Sequence, residues 1–222
     1  MIDLSRDGQV HVLRFDAGEN RFGPRFLDGM DQVLASLEKH DGPGAALVTV
    51  GTGKFYSNGL DLDWLGANPD RLEEYLGRVH EMYARLLELP MPTVAAVNGH
   101  AFAAGAMLTL CHDLTVMRTD RGYFCLPEVD LGMTFSPGMR AVIQARLSPG
   151  TAHEAMLTGR RYTAEQAERA GIVHRTAAEA DVLPAAVELA ASLAGKNGAV
   201  VRGIRTGMYA QVIEALRGPA LG

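Results

Sequence analysis

Glu128 is the residue in this chain whose surroundings best suit proton transfer. It is flanked by Leu126, Pro127, Val129 and Leu131, an apolar frame that would raise its pKa by desolvation and leave a usable base. Two other segments offer something for such a base to work beside. Phe55-Tyr56-Ser57-Asn58-Gly59-Leu60-Asp61-Leu62 and Asn98-Gly99-His100-Ala101-Phe102-Ala103-Ala104-Gly105-Ala106 each place small residues at a turn. Unpaired backbone N–H groups collect there, and a helix start adds the positive end of its dipole. The small side chains of Ala103, Ala104 and Gly105 would let a ligand oxygen reach the main chain.

Other groupings fail on spacing. Gly51-Thr52-Gly53-Lys54 follows an expected strand, but Phe55 comes next and no upstream glycine completes a phosphate loop or a dinucleotide fingerprint. The seven histidines form no HExxH pair, and His112-Asp113 and His153-Glu154 read as ordinary structural or surface pairs. Ser57, His100 and Asp113 could be strung into a hydrolase triad, but Ser57 lacks the Gly-x-Ser-x-Gly elbow.

The elements that must position these residues alternate along the chain. Val10 to Phe15, Ala45 to Val50, Thr93 to Val97 and Leu114 to Met117 read as strands, the second and third as nearly continuous apolar runs buried on both faces. Between them, apolar residues recur at helical spacing from Phe26 to Leu37, with Pro24 placed to open the helix, and from Pro69 to Leu89. Ala101 to Cys111 reads as a buried helix and Gly51 to Gly59 as a loop. From residue 140 onward five segments are expected to be helix: 140–147, 151–157, 164–170, 181–194 and 199–216. Thr163-x-x-Gln166 forms a capping box, and Gly159 and Gly171 act as stops. The pattern is that of an α/β protein with mostly parallel pairing.

Composition bounds the function. The chain has 222 residues, 47% of them hydrophobic and 21% charged, with a formal net charge of −5 and two cysteines. It is long enough for a real core and too apolar for disorder. An acidic chain without a basic run is a poor binder of nucleic acid or membranes. Cys111 and Cys125 cannot make a disulfide framework, which points to a reducing compartment, here the cytoplasm. No apolar run approaches the roughly 20 residues that cross a bilayer, and neither end reads as a targeting signal.

Taken in order, the Gly-x-Asp loop, Asn-Gly-x-Ala with its small-residue helix start, and Pro-Glu-x-x-x-Gly resemble the crotonase, or enoyl-CoA hydratase/isomerase, superfamily. The likeness runs through Leu157-Thr158-Gly159 and Ala170-Gly171-Ile172-Val173 and so covers essentially the whole chain. Met117–Gly122 followed by Glu128-Val129-Asp130-Leu131-Gly132 most resembles the plant peroxisomal type of Δ3,Δ2-enoyl-CoA isomerase. The resemblance implies a ββα-spiral core over 1–160 and a helical trimerisation region over 161–222, assembled as a homotrimer or dimer of trimers. It implies an acyl-CoA thioester substrate in β-oxidation, with no separate cofactor because coenzyme A is part of the substrate, and no metal. The backbone N–H groups of Leu60 and Ala104 (where relatives usually have glycine) would form an oxyanion hole.

Glu128 corresponds to the second glutamate of the hydratases, and Met107 stands where the first would be. One carboxylate suits a proton shuttle better than addition of water. Ser57, Asn58, Gly59, Asp61, Trp64, Gly105 and Met107 would line the substrate site, with Lys54, Arg118 and Arg121 as weaker candidates for phosphate contacts. Another acyl-CoA reaction (hydrolysis, decarboxylation, weak hydration) and a catalytically silent acyl-CoA binder remain open at this point. Relatives usually end in an extra helix over the active site, so the 199–216 helix is expected either to replace that lid or to leave the pocket open.

Overall fold

A computed structural model describes residues 2–40 and 44–221. The chain runs β1 (Ile2–Asp7), β2 (Val10–Phe15), α1 (Pro24–Leu37), β3 (Ala46–Gly51), β4 (Phe55–Ser57), α2 (Leu62–Ala67), one 3-10 turn (Pro69–Arg71) and α3 (Leu72–Leu87). It continues through β5 (Thr93–Val97), β6 (His100–Phe102), α4 (Ala104–Leu110), β7 (Leu114–Arg118), β8 (Phe124–Cys125), α5 (Pro137–Arg146) and α6 (Pro149–Thr158). The remainder is α7 (Ala164–Arg169), β9 (Arg175–Ala177), α8 (Val182–Leu193), α9 (Gly198–Met208) and α10 (Ala210–Arg217).

Six strands form the main sheet in the order β1-β2-β3-β5-β7-β9, parallel throughout except for the β1–β2 hairpin. Its strands read as continuous apolar runs because both faces are covered. Val48, Val50, Val94, Ala96 and Val116 meet Val182, Ala186 and Ala190 of α8 on one side. Leu13, Phe15, Leu47, Ala95 and Val97 face the larger core with α1 and α3 on the other.

A second, parallel sheet, β4-β6-β8, lies where a loop and the start of a helix were expected. Its strands are two or three residues long, too short for any period to show in sequence. β1 and β9 are likewise additions to the expected set. The expected 199–216 helix is two helices that meet at Tyr209, whose φ of −110° and ψ of 22° break the turn. The break lets α10 pack against α3 and α5. Buried Arg205 ties α9 down by donating to the carbonyls of Leu89 and Met91 and pairing with Asp113.

The capping box at Thr163 and Gln166 is formed, Gly159 (φ 60°) ends α6, and Gly171 (φ 71°) follows α7. Among the described residues no helix is long and apolar enough to cross a membrane, and both cysteines are free thiols in the interior.

Candidate active site

The parallel strands deliver the loop after β4 and the turn after β6 to the same edge, and the two are pressed together. A Cβ on Gly59, whose φ is +81°, would lie 2.9 Å from both the Ala104 nitrogen and the Phe102 oxygen. A Cβ on Gly105 would run into the Ser57 carbonyl oxygen. Glycine at both positions is therefore what allows the two backbones to touch.

Almost every N–H in the first loop is spent on holding it. Asn58 N donates to Glu19 O (2.9 Å), Gly59 N to Ser57 Oγ (3.1 Å), Asp61 N to Tyr75 Oη (2.8 Å) and Leu62 N to Leu60 O (3.2 Å). Among the described residues the Leu60 N–H has no acceptor. In the second turn Ala103 N donates to Cys125 O (3.0 Å), and both Ala106 and Met107 donate to Ala103 O. The Ala104 N–H likewise has no acceptor among the described residues. Ala103 itself sits at φ 50°, ψ −126°, a conformation costly for any residue with a Cβ. Two free donors that face one cavity from adjoining loops can receive one oxygen atom between them.

Leu60, Ala104 and Glu128 line one cavity of about 460 Å³. Its walls are mostly apolar, built by Leu65, Leu72, Leu76, Phe102, Leu131, Phe135 and Met139. Glu128 is 6% exposed, and its Oε2 is buried without a hydrogen-bond partner. Burial pushes its carboxyl up to about 7, against a smaller opposing pull from its own backbone N–H. Asp63 also reaches the cavity, but it is solvent-exposed and paired with Arg21. Glu128 is therefore the buried carboxylate of this cavity, poised to exchange a proton near neutral pH.

The backbone around Glu128 is a tight turn, with the N–H groups of Asp130 and Leu131 donating to Pro127 O and Met133 N to Glu128 O. An extended stretch would have put Asp130 on the face of Glu128; the turn instead sends the Asp130 carboxylate toward Gly159.

The other sequence candidates divide. Asn58 lines the cavity. Ser57 is fully buried and donates to Asn20 O (2.7 Å), so its hydroxyl braces the loop. Asp61 caps α2 by accepting from Trp64 N (3.2 Å). Trp64 stacks on Tyr75 (5.2 Å between centroids) beneath Arg71, outside the cavity. Gly59 and Gly105 set the loop contact, and Met107 belongs to the hydrophobic core. Arg118 pairs with Asp120 and Glu179, each at 2.7 Å. Ser57, His100 and Asp113 form no relay, because Asp113 is bound to Thr93 and Arg205. No residue of α9 or α10 lines the cavity.

Three residues that matter here were not singled out from the sequence. Asn20 (φ 50°) gives both amide hydrogens to the carbonyls of Phe55 and Tyr56 and so anchors β4. Tyr83 donates to Ala104 O at 2.6 Å. Arg161 reaches the cavity over the Phe102 ring. Asparagine's tolerance of a left-handed backbone was a signal available at Asn20; Tyr83 looked like one more core position on α3.

Comparisons with known proteins place the chain in a family. The profile of the family described as Enoyl-CoA hydratase/isomerase matches residues 6–218. The chain is 36% identical to the peroxisomal enoyl-CoA delta isomerase 2 of Arabidopsis thaliana, over 97% of this chain and 95% of that protein. It is 30% identical to a carnitinyl-CoA dehydratase of Salmonella enteritidis, over 86% and 74% of the two chains. Among solved structures, a probable enoyl-CoA hydratase of Mycobacterium tuberculosis superposes with a TM-score of 0.91 at 27% identity, covering 99% of this chain and 92% of that one. A structure described as an enoyl-CoA isomerase from the same organism gives 0.89 at 28%, covering 97% and 94%. By profile, identity and fold, this chain belongs to the enoyl-CoA hydratase/isomerase family.

Proposed function

We propose that the protein is a Δ3,Δ2-enoyl-CoA isomerase that works with a single acid–base residue. The observation that carries this reading is the lone buried carboxylate, Glu128, in an apolar cavity that also holds two free backbone donors. The thioester oxygen of a 3-enoyl-CoA accepts hydrogen bonds from Leu60 N–H and Ala104 N–H. Glu128, ionised, takes a proton from C2. The electrons of that C–H bond move into a dienolate whose oxygen charge the two donors stabilise. Glu128, now protonated, returns the proton to C4, and the double bond comes to rest between C2 and C3 as the trans-2-enoyl thioester. Apolar walls favour the neutral acid formed midway, and nothing is consumed.

Met107 in the core leaves no second glutamate to activate water at that position, which supports isomerisation over hydration. The leucines of α2 and α3, with Phe135 and Met139, suit an aliphatic acyl chain of the kind met in β-oxidation. A trimeric assembly fits α9, whose Val200, Ile204 and Met208 are exposed on one helical face. Buried free thiols suit a reducing compartment such as the cytoplasm.

The test is incubation with 3-hexenoyl-CoA, following the absorbance of the conjugated thioester. Glu128→Gln should abolish turnover while the protein stays folded, and unchanged activity in that variant overturns the assignment. The relatives named carnitinyl-CoA dehydratase give a second reading, reversible hydration, which predicts a 3-hydroxyacyl-CoA from a trans-2-enoyl-CoA instead.

A further inference from the structure

The cavity wall carries a hydroxyl with a histidine behind it. Ser136 lines the cavity from the head of α5, beside Phe135 and Met139. Its Oγ caps that helix by accepting from Met139 N (3.4 Å), and it lies 2.7 Å from Nε2 of His80. His80 comes from the middle of α3, has no exposed surface and is not itself part of the wall. Its link to the cavity is that serine.

Three helices converge on the imidazole. α10 packs on both α3 and α5. A Cβ on Gly138 would lie 2.9 Å from Leu216 Cα, so glycine there lets the end of α10 close against the start of α5. The Leu216 main chain meets the ring, and Nδ1 is buried without a well-formed hydrogen bond. A carbonyl can only accept, so the tautomer assigned from these contacts carries its proton on Nδ1 and its lone pair on Nε2. Burial lowers the pKa of His80 from the usual histidine value and so keeps that lone pair free.

Packing alone does not call for this pair. A helix cap needs only the serine, and a core position takes an apolar side chain at lower cost than a poorly satisfied imidazole. A hydroxyl bonded to a neutral imidazole that is held from its far side is the arrangement of an activated nucleophile. The positive end of the α5 dipole favours the alkoxide. The free N–H groups of Leu60 and Ala104 face the same cavity and can hold a tetrahedral oxyanion as well as an enolate.

We propose that the protein has a second activity, hydrolysis of acyl-CoA thioesters, with Ser136 as nucleophile and His80 as its base. The assignment rests on the acyl-CoA reading above. Ser136 Oγ attacks the thioester carbon as its proton passes to His80 Nε2. The carbonyl π electrons move onto the oxygen, held by Leu60 N–H and Ala104 N–H. When they return, the C–S bond breaks and the departing coenzyme A thiolate takes the proton from His80. The acyl group is then an ester of Ser136. Water adds to that ester, losing a proton to His80, which passes it to Oγ as the carboxylic acid leaves. Thioester and water become acid and thiol, and nothing is oxidised or reduced.

Butyryl-CoA, which has no double bond to move, is the probe. Thiol release is followed with a chromogenic disulfide, and acid-quenched protein is mapped by mass spectrometry. The wild type should release coenzyme A and carry a butyryl ester on Ser136. His80→Gln should release it about a hundredfold more slowly, the worth of a general base. Ser136→Ala should release none above background. Both substitutions touch packed positions, so the wild-type protein is also treated with an alkyl fluorophosphonate, which should label Ser136 and block release. Release that survives in Ser136→Ala overturns the proposal, as does an acyl group mapped to Glu128 or a Ser136 that stays unlabelled in protein that binds butyryl-CoA. If the wild type isomerises 3-hexenoyl-CoA but frees no thiol from butyryl-CoA, this inference fails alone. If butyryl-CoA does not bind, the acyl-CoA reading fails with it.

Discussion

The hydroxyl of Tyr83 donates a 2.6 Å hydrogen bond to the carbonyl of Ala104, the residue whose own N–H is left free at the cavity. Both groups are buried. The bond ties the first residue of α4 to the middle of α3 and limits how far that residue can swing. Tyr83→Phe keeps the packing and removes the tie. The expected result is a fall in kcat of about five- to tenfold, the worth of one net hydrogen bond, with KM nearly unchanged. A purely structural role would lower the melting temperature and leave kcat alone.

Ala103 holds φ 50°, ψ −126° with a Cβ attached. Such strain costs on the order of 1–3 kcal/mol, part of which a glycine gives back as unfolded-state entropy. Ala103→Gly should therefore stabilise the protein by about 1 kcal/mol in urea unfolding, whereas Ala103→Val should destabilise it.

The pKa of Glu128, raised by burial to about 7, sets two pH dependences of known sign. Activity requires the ionised base, so kcat/KM should rise with pH along a limb centred near 7. For stability, the native state holds this proton more tightly than the unfolded chain does. The stability associated with Glu128 is therefore fully present below the ordinary carboxylate range and is lost as pH rises through about 7. Glu128→Gln, which stays neutral, should exceed the wild type in stability at pH 8 by up to about 3 kcal/mol, and the gap should close in acid. Paired denaturant melts at the two pH values check this.

At Gly105 a Cβ would strike the Ser57 carbonyl oxygen, a backbone atom that cannot rotate aside. Gly105→Ala should cost about 1–3 kcal/mol of stability as the loops separate. It should also cost turnover, because the free donors of Leu60 and Ala104 move apart. Measuring denaturant midpoint and kcat on one preparation tests both.

Arg205 is buried against Asp113 and four main-chain carbonyls, those of Leu86, Leu87, Leu89 and Met91. Removing it strands a carboxylate and the end of α3 together. Arg205→Ala should lose about 3–5 kcal/mol, seen as a shifted denaturant midpoint.

What the sequence revealed depended on length and period. β3 and β5 were visible as apolar runs, and α1 and α3 as helical stripes, because each is long enough for its period to register. β4, β6 and β8 are too short, and β6 hides at the head of a run of small residues that continues as helix. Glu128 stood out because its neighbours are apolar, and Leu60 and Ala104 because the order of motifs resembled a family. The roles of Ser57 and Trp64 were not legible, since whether a side chain faces ligand or braces its own loop depends on partners distant in sequence: Asn20 for Ser57, Tyr75 for Trp64. Asn20 and Tyr83 were missed for the same reason. Their contacts cross 35 and 21 positions, and only at Asn20 did residue type hint at a special backbone.

The two free donors of the cavity are main-chain N–H groups, and that bears on how the site can change over evolutionary time. A point substitution can remove a catalytic side chain outright, but it cannot delete an amide hydrogen unless the new residue is proline. The apparatus that grips an oxygen at Leu60 and Ala104 is thus nearly immune to codon change so long as the two glycines keep the loops in contact. Mutational risk, and with it the opportunity for new chemistry, is concentrated on one carboxylate and the apolar side chains around it. A lineage can exchange those freely and inherit the oxygen-binding apparatus unchanged.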